Sequence, residues 1–199
     1  MRPNYAQDAP PTTITVGGVA YPVVDVDFRA WIVITHLLRD FIPDPQKPEQ
    51  QQHNVELMCE IQTAVFGGVL EDEDPGEALK AIIWFSAGYQ NAPVSPEPYQ
   101  EALTYSFEHD LNFIVLAIRN QSGIDLSYRR TEPFHWWEFL LEFQALCGEH
   151  YILRLMEIRG YKKDPEKPEL QKARFALPRD LSAAEQAALE EINDEFYNA

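Results

Sequence analysis

Phe107-Glu108-His109-Asp110-Leu111-Asn112-Phe113-Ile114-Val115-Leu116-Ala117-Ile118-Arg119-Asn120-Gln121 is the stretch that decides the fold class. Phe107, Leu111, Ile114, Val115 and Ile118 recur at helical spacing, so the stretch predicts an amphipathic helix. Phe113, Leu116 and Ala117 add apolar surface over much of the remaining circumference, which predicts a central helix. Gly123 is its expected stop. Glu108, His109 and Asp110 crowd its first turn, where negative charge offsets the helix dipole; the cluster reads as capping rather than as a titratable site.

Downstream, Pro133 is expected to open a helix that runs through Leu146. Glu138 and Glu142 form a narrow polar stripe there, against Phe134, Trp136, Trp137, Phe139, Leu140 and Phe143. Adjacent helix positions point about 100° apart, so two neighbouring tryptophans rarely share one core face. Either both rings fill a large core, or one packs inside while the other faces a partner, as tryptophan does at interface hot spots. The second alternative makes Trp136, Trp137 and Phe139, with Trp84 and Trp31, the partner-binding candidates. A further helix is expected at about 150–158. The stretch from Arg154 to Arg174 is modestly basic, and Ser182 and Glu185 have capping-box spacing before an acidic helix over 181–199.

Upstream, two β-prone runs flank Gly17-Gly18 and predict a hairpin, with Pro22 on an edge strand. Asp25 is a candidate cap for a helix carrying Phe28, Trp31, Ile32, Thr35, Leu38 and Phe41 on one face, ended by Pro43 and Pro45. A second helix is expected over about 50–66, with Leu57, Met58, Ile61, Ala64 and Val65 on its apolar stripe, Glu60 and Gln62 on its polar side, and Gly67-Gly68 as its stop. In the acidic turn 71–77, Asp74 can cap, Pro75 suits the first helical position and Glu77 favours the positive helix end. The helix that follows, Ala78 to Phe85, is apolar almost all round. Residues 91–98 are a proline-rich loop.

The expected fold is mainly α: an irregular bundle of about seven helices with a short N-terminal β-hairpin. The organisation is a flexible tail over 1–12, one helical domain over 13–180 and the acidic helix over 181–199. The chain has 199 residues, of which 45% are hydrophobic, enough for one sizeable core. Its net charge of −16 disfavours nucleic acid and anionic membranes as partners. No apolar run approaches the roughly 20 residues of a membrane span, and no signal-peptide pattern is visible, so a soluble, cytoplasmic protein is expected. Cys59 and Cys147 are too few for a disulfide framework and sit in apolar patterns, which predicts buried thiols.

Searching for chemistry gives little. No phosphate-binding glycine loop, zinc motif or nucleophile elbow is present. His135, Cys147 and His150, with Glu149, are the nearest approach to a metal set, but their spacing matches no strong ligand pattern. No cofactor and no catalytic residue are expected. A metal-dependent enzyme around those three residues is the weaker alternative to a binding protein.

An ordered set of segments resembles the bacteriophage Gp-fifteen family. The segments are the hairpin followed by Val26-Asp27-Phe28-Arg29-Ala30-Trp31, then Ala78 to Phe85, then Tyr105-Ser106-Phe107-Glu108-His109-Asp110. They continue with Gly123-Ile124-Asp125-Leu126, His135-Trp136-Trp137-Glu138-Phe139, Met156 to Lys162, and Phe175-Ala176-Leu177-Pro178. The resemblance implies a non-enzymatic tail assembly chaperone of long-tailed phages, working in the cytoplasm of the infected or lysogenic host. It would bind the tape-measure protein, keep it soluble and help recruit the tail-tube protein, with a homo-oligomer as a possible form. A structural tail subunit retained in the virion is the alternative.

Overall fold

The computed structural model describes residues 4–41, 47–89 and 104–160. Within them the chain forms a two-stranded hairpin and six helices: β1 (Thr13–Val16), β2 (Val19–Pro22), α1 (Phe28–Asp40), α2 (Pro48–Phe66), α3 (Pro75–Ser86), α4 (Phe107–Ser122), α5 (Trp136–Gln144) and α6 (Tyr151–Gly160). The mainly helical class and the N-terminal hairpin are as expected. The expected seventh helix, over 181–199, lies outside the described residues, as does most of the basic stretch.

The hairpin pairs Thr13 with Pro22 and Val16 with Val19. Gly17 and Gly18 form its two-residue turn with φ of +56° and +90°, values that L-residues with a β-carbon rarely adopt. A β-carbon at Gly17 would also collide with the Glu73 carboxylate. That carboxylate accepts a 2.7 Å hydrogen bond from the Tyr21 hydroxyl. The acidic turn is therefore tied to the hairpin rather than wholly given to solvent. Ile14 and Val16 face inward and are fully buried, which gives the hairpin a hydrophobic footing on α3.

Helix starts follow their caps. Asp74 Oδ1 accepts from the Glu77 N–H at 2.9 Å, with Pro75 in the first turn, as the sequence predicts. The cap of α1 is Asp27, whose Oδ1 accepts from the Arg29 N–H at 2.9 Å. Asp25, the expected cap, instead accepts from the Asp27 N–H at 2.8 Å and braces the turn before the helix. Helices α2 and α4 end at Gly67 and Gly123, as expected.

Three expectations about burial are corrected. Gln62 is buried, because its Oε1 accepts from the Leu70 N–H at 2.8 Å and satisfies the turn after α2. Cys59 and Cys147 are exposed rather than buried. Cys59 falls on the solvent side of α2, and Cys147 lies past the end of α5. Finally, α4 is not covered all round: Phe113 is 38% and Leu116 51% exposed.

The central helix is α5. It packs between α1 and α4, while α3 meets both α1 and α2, and α6 packs on the far side of α4. The core runs continuously from Ile14 and Ile82 through Trp31, Phe85 and Trp136 to Ile114 and Ile152.

Candidate functional site

The aromatic residues singled out by sequence converge on α5. Trp136 is 1% and Trp137 0% exposed, so neither ring faces solvent. Of the two alternatives, both rings filling the core is the one observed in the chain, and the reason is local. Trp136 stacks near Trp31 at 6.4 Å between ring centroids and on Phe139 at 5.7 Å. Trp137 meets Phe85 at 5.5 Å, Trp84 at 5.4 Å and Tyr89 at 4.9 Å. The first ring fills the space toward α1 and the second fills the space toward the end of α3. A helix flanked on two sides can bury two adjacent tryptophans. Trp31 and Phe139 are fully buried and Trp84 is half-buried.

Both indoles also do polar work. Trp136 Nε1 donates to the Ser86 carbonyl at 2.9 Å, and Trp137 Nε1 to the Phe85 carbonyl at 2.8 Å. These are terminal carbonyls of α3, beyond the reach of its own i+4 ladder, and the Phe85 carbonyl also accepts from the Gly88 N–H at 3.1 Å. The tryptophan pair is thus a side-chain cap for α3. Gly88, φ +65°, makes the approach possible, since a β-carbon there would sit 2.8 Å from Leu140 Cδ1. Trp31 Nε1 likewise donates to the Asp25 carbonyl at 3.0 Å.

The start of α5 is stitched to the start of α1. The Phe28 N–H donates to the Phe134 carbonyl at 2.9 Å, and the Trp136 N–H to the Val26 carbonyl at 2.8 Å. Asp27 Oδ2 accepts from the Phe134 N–H at 2.8 Å, and Arg29 Nη1 reaches both Asp27 oxygens at 3.2 Å. One carboxylate therefore caps its own helix and holds a strand-like segment more than a hundred residues away. Sequence reasoning did not single out Asp27 for this role, because half of its partners are non-local.

His135, a candidate metal ligand by sequence, is the cap of α5. Its Nδ1 accepts from the Trp137 N–H at 3.0 Å, and its Nε2 stands 3.0 Å from the Pro11 carbonyl. A ring that accepts at Nδ1 and donates at Nε2 is the neutral imidazole. Burial pushes its pKa down, opposed by the Pro11 hydrogen bond and the Glu138 charge. Cys147 is exposed, its N–H donating to Gln121 Oε1 at 2.9 Å, and His150 leads into α6. Among the described residues no group of three or more His, Cys, Asp or Glu side chains is placed to hold a metal ion.

The charged cluster at the start of α4 divides. Asp110 is 2% exposed and bonds Arg159 at 2.6 and 3.2 Å, while its Oδ2 also accepts from the Ser106 N–H at 2.9 Å. Arg159, read from sequence as part of a basic patch, is instead half of a buried ion pair that fastens α6 to α4. Glu108 and His109 remain at the surface.

The apolar surface left to solvent is elsewhere. On the outer side of α4 and α6, Phe113 and Tyr151 meet edge-on at 4.8 Å, and Leu116 lies one turn along from Phe113. Leu116 and Tyr151 are each 51% exposed. The sequence offered no signal for this face, because the periodicity of α4 is apolar on nearly every side.

Among the described residues no helix is long and apolar enough to cross a membrane. No match was found among curated proteins or solved structures. The sequence pattern of one family, described as Bacteriophage Gp15 protein, matches residues 7–179, and that span contains every element described above. The chain belongs to the Bacteriophage Gp15 protein family.

Proposed function

We propose that this phage protein is a tail assembly chaperone that binds the tape-measure protein and keeps it soluble while the tail tube is built, without catalysing a reaction. The observation that carries the reading is the Phe113–Leu116–Tyr151 face. Exposed apolar side chains grouped on one face are the kind of surface that partner proteins cover. The partner implied by the family resemblance is a long helical chain with apolar surface, which such a face can cover along one stripe. A net charge of −16 supports the same reading, since it keeps a complex with an aggregation-prone chain dispersed. The buried Trp136 and Phe139, which pack against Phe107, serve here as the frame that fixes α4, with Trp31 stacked behind Trp136.

The test is co-expression with the tape-measure protein encoded by the same phage element. Recovery of a soluble complex that is weakened by Leu116→Asp is the expected result. A tape-measure protein that stays insoluble, with nothing co-purifying, overturns the reading. Mass spectrometry of purified virions separates it from a structural tail subunit, because a chaperone is absent from the finished particle.

A further inference from the structure

We propose that residues 4–12 form a displaceable strap over Tyr89 and His135, and that lifting it opens an aromatic acceptor for a partner helix bearing an aromatic side chain beside a lysine or arginine. The partner half of this proposal rests on the chaperone reading above.

The strap begins with a self-contained turn over residues 4–8. Its turn is closed by the Asn4 N–H on Asp8 Oδ2 at 2.8 Å, the Ala6 N–H on Asn4 Oδ1 at 3.0 Å and the Asp8 N–H on the Asn4 carbonyl at 2.7 Å. None of these bonds runs to the body, so lifting the strap breaks none of them. It hinges at Thr12, whose carbonyl accepts from the Val23 N–H at 2.9 Å beside the hairpin. Beyond that hinge it is held by an edge-on contact of Tyr5 with Tyr89, centroids 5.3 Å apart, and by the Pro11 carbonyl on His135 Nε2. An edge-on ring contact and one neutral hydrogen bond are weak holds. Tyr5 itself stays 54% exposed, so the strap gains little burial where it sits.

Beneath it is a layered aromatic site. Tyr89 stands edge-on to Trp137, and Trp137 in turn meets Trp84. The Tyr89 hydroxyl is buried with no hydrogen-bond partner among the described residues, so the covered state leaves a donor unsatisfied. Burial and the nearby charges of Glu138 and Asp8 push its pKa up. Asp8 departs with the strap while Glu138 stays, half-buried, at the rim. An incoming aromatic ring would take the place of the Tyr5 ring, a neighbouring cation would meet Glu138, and a polar atom could satisfy the Tyr89 hydroxyl. The sequence singled out Trp137 and Trp84 as partner-facing; the strap explains how they can be buried in the free chain and still belong to a binding site.

The test uses the full chain with Tyr5→Ser and His135→Asn. Asparagine keeps an acceptor for the Trp137 N–H, and so keeps the α5 cap, but is too short to reach the Pro11 carbonyl. The double variant is expected to bind an apolar dye several-fold more strongly, to let acrylamide quench tryptophan fluorescence faster, and to capture the tape-measure protein several-fold more tightly. Its far-UV circular dichroism should match that of the wild type. If His135→Asn disturbs folding, Tyr5→Ser alone carries the same comparison, because that side chain is mostly at the surface. Unchanged dye binding and quenching, or weaker capture by a folded variant, overturns the strap. Increased dye binding and quenching, with no capture by either protein, supports the strap and overturns the chaperone reading.

Discussion

Helices α4 and α5 look alike in sequence, each crowded with large apolar residues, yet they occupy opposite situations. Helix α5 carries Trp136, Trp137, Phe139 and Phe143 into the core on several sides at once. Helix α4 buries Phe107, Ile114, Ala117 and Ile118 along one stripe and leaves Phe113 and Leu116 outside. What separates them is length and neighbours. Helix α5 is short and enclosed by α1, α4 and the end of α3, whereas α4 is long and, among the described elements, is flanked by α5 and α6 with Phe113 and Leu116 left exposed. Apolar content therefore tells how much surface a helix could bury, and the arrangement of its neighbours tells how much it does.

That contrast can be broken by substitution. Trp136→Ala removes a ring that takes roughly 200 Å² out of water, and should cost about 3–5 kcal/mol in denaturant unfolding. Leu116→Ala on α4 should cost well under 1 kcal/mol in the same experiment. Equal losses at the two positions would mean that the outer face of α4 is covered. In the seam between α4 and α6, Arg159→Met leaves the Asp110 carboxylate buried without its partner and should cost about 3 kcal/mol. The double variant Arg159→Met/Asp110→Leu should recover only part of that, because it also takes the acceptor from the buried Ser106 N–H; a double-mutant cycle reads the difference.

Smaller effects sharpen the same comparison. Trp137→Phe keeps an aromatic ring on α5 but removes the donor to the Phe85 carbonyl and part of a fully buried indole, so a loss of about 2 kcal/mol is expected, read as a shift in the unfolding midpoint. A pH titration probes the cap of α5. The His135 pKa is lowered in the folded chain, so the unfolded chain binds more protons as pH falls. Stability should therefore be full above about 6.5, the unperturbed histidine value, and decline below it. His135→Asn should flatten that decline, and an unchanged slope would assign it to other groups.

The class of the fold was legible because helical periodicity and stop signals are local. The caps at Asp74 and Gly123 and the Gly17-Gly18 turn were readable for the same reason. The site was less so. Choosing Asp27 over Asp25 as the α1 cap depends on the Phe134 N–H, which no local pattern announces. The polar stripe of α2 misplaced Gln62, because its amide serves a turn eight residues away. The adjacent tryptophans stand out in the sequence, but where their indoles end up is set by the carbonyls at the end of α3, a feature of another helix. The exposed Phe113–Tyr151 face is visible only once α6 is placed beside α4.

The stitch between the beginnings of α1 and α5 also sets a timetable. Asp27 and the Phe134 N–H are 107 residues apart in the chain. At a ribosomal pace of about 5–20 residues per second, Asp27 waits roughly 5–20 s after its own synthesis before its acceptor site on the nascent chain can be filled. Until then α1 has its cap but no central helix to close on, and Phe28 and Trp31 have no Phe139 or Trp136 to pack against. Until α5 emerges, the first third of this protein thus carries part of its future core uncovered, the condition proposed for its partner.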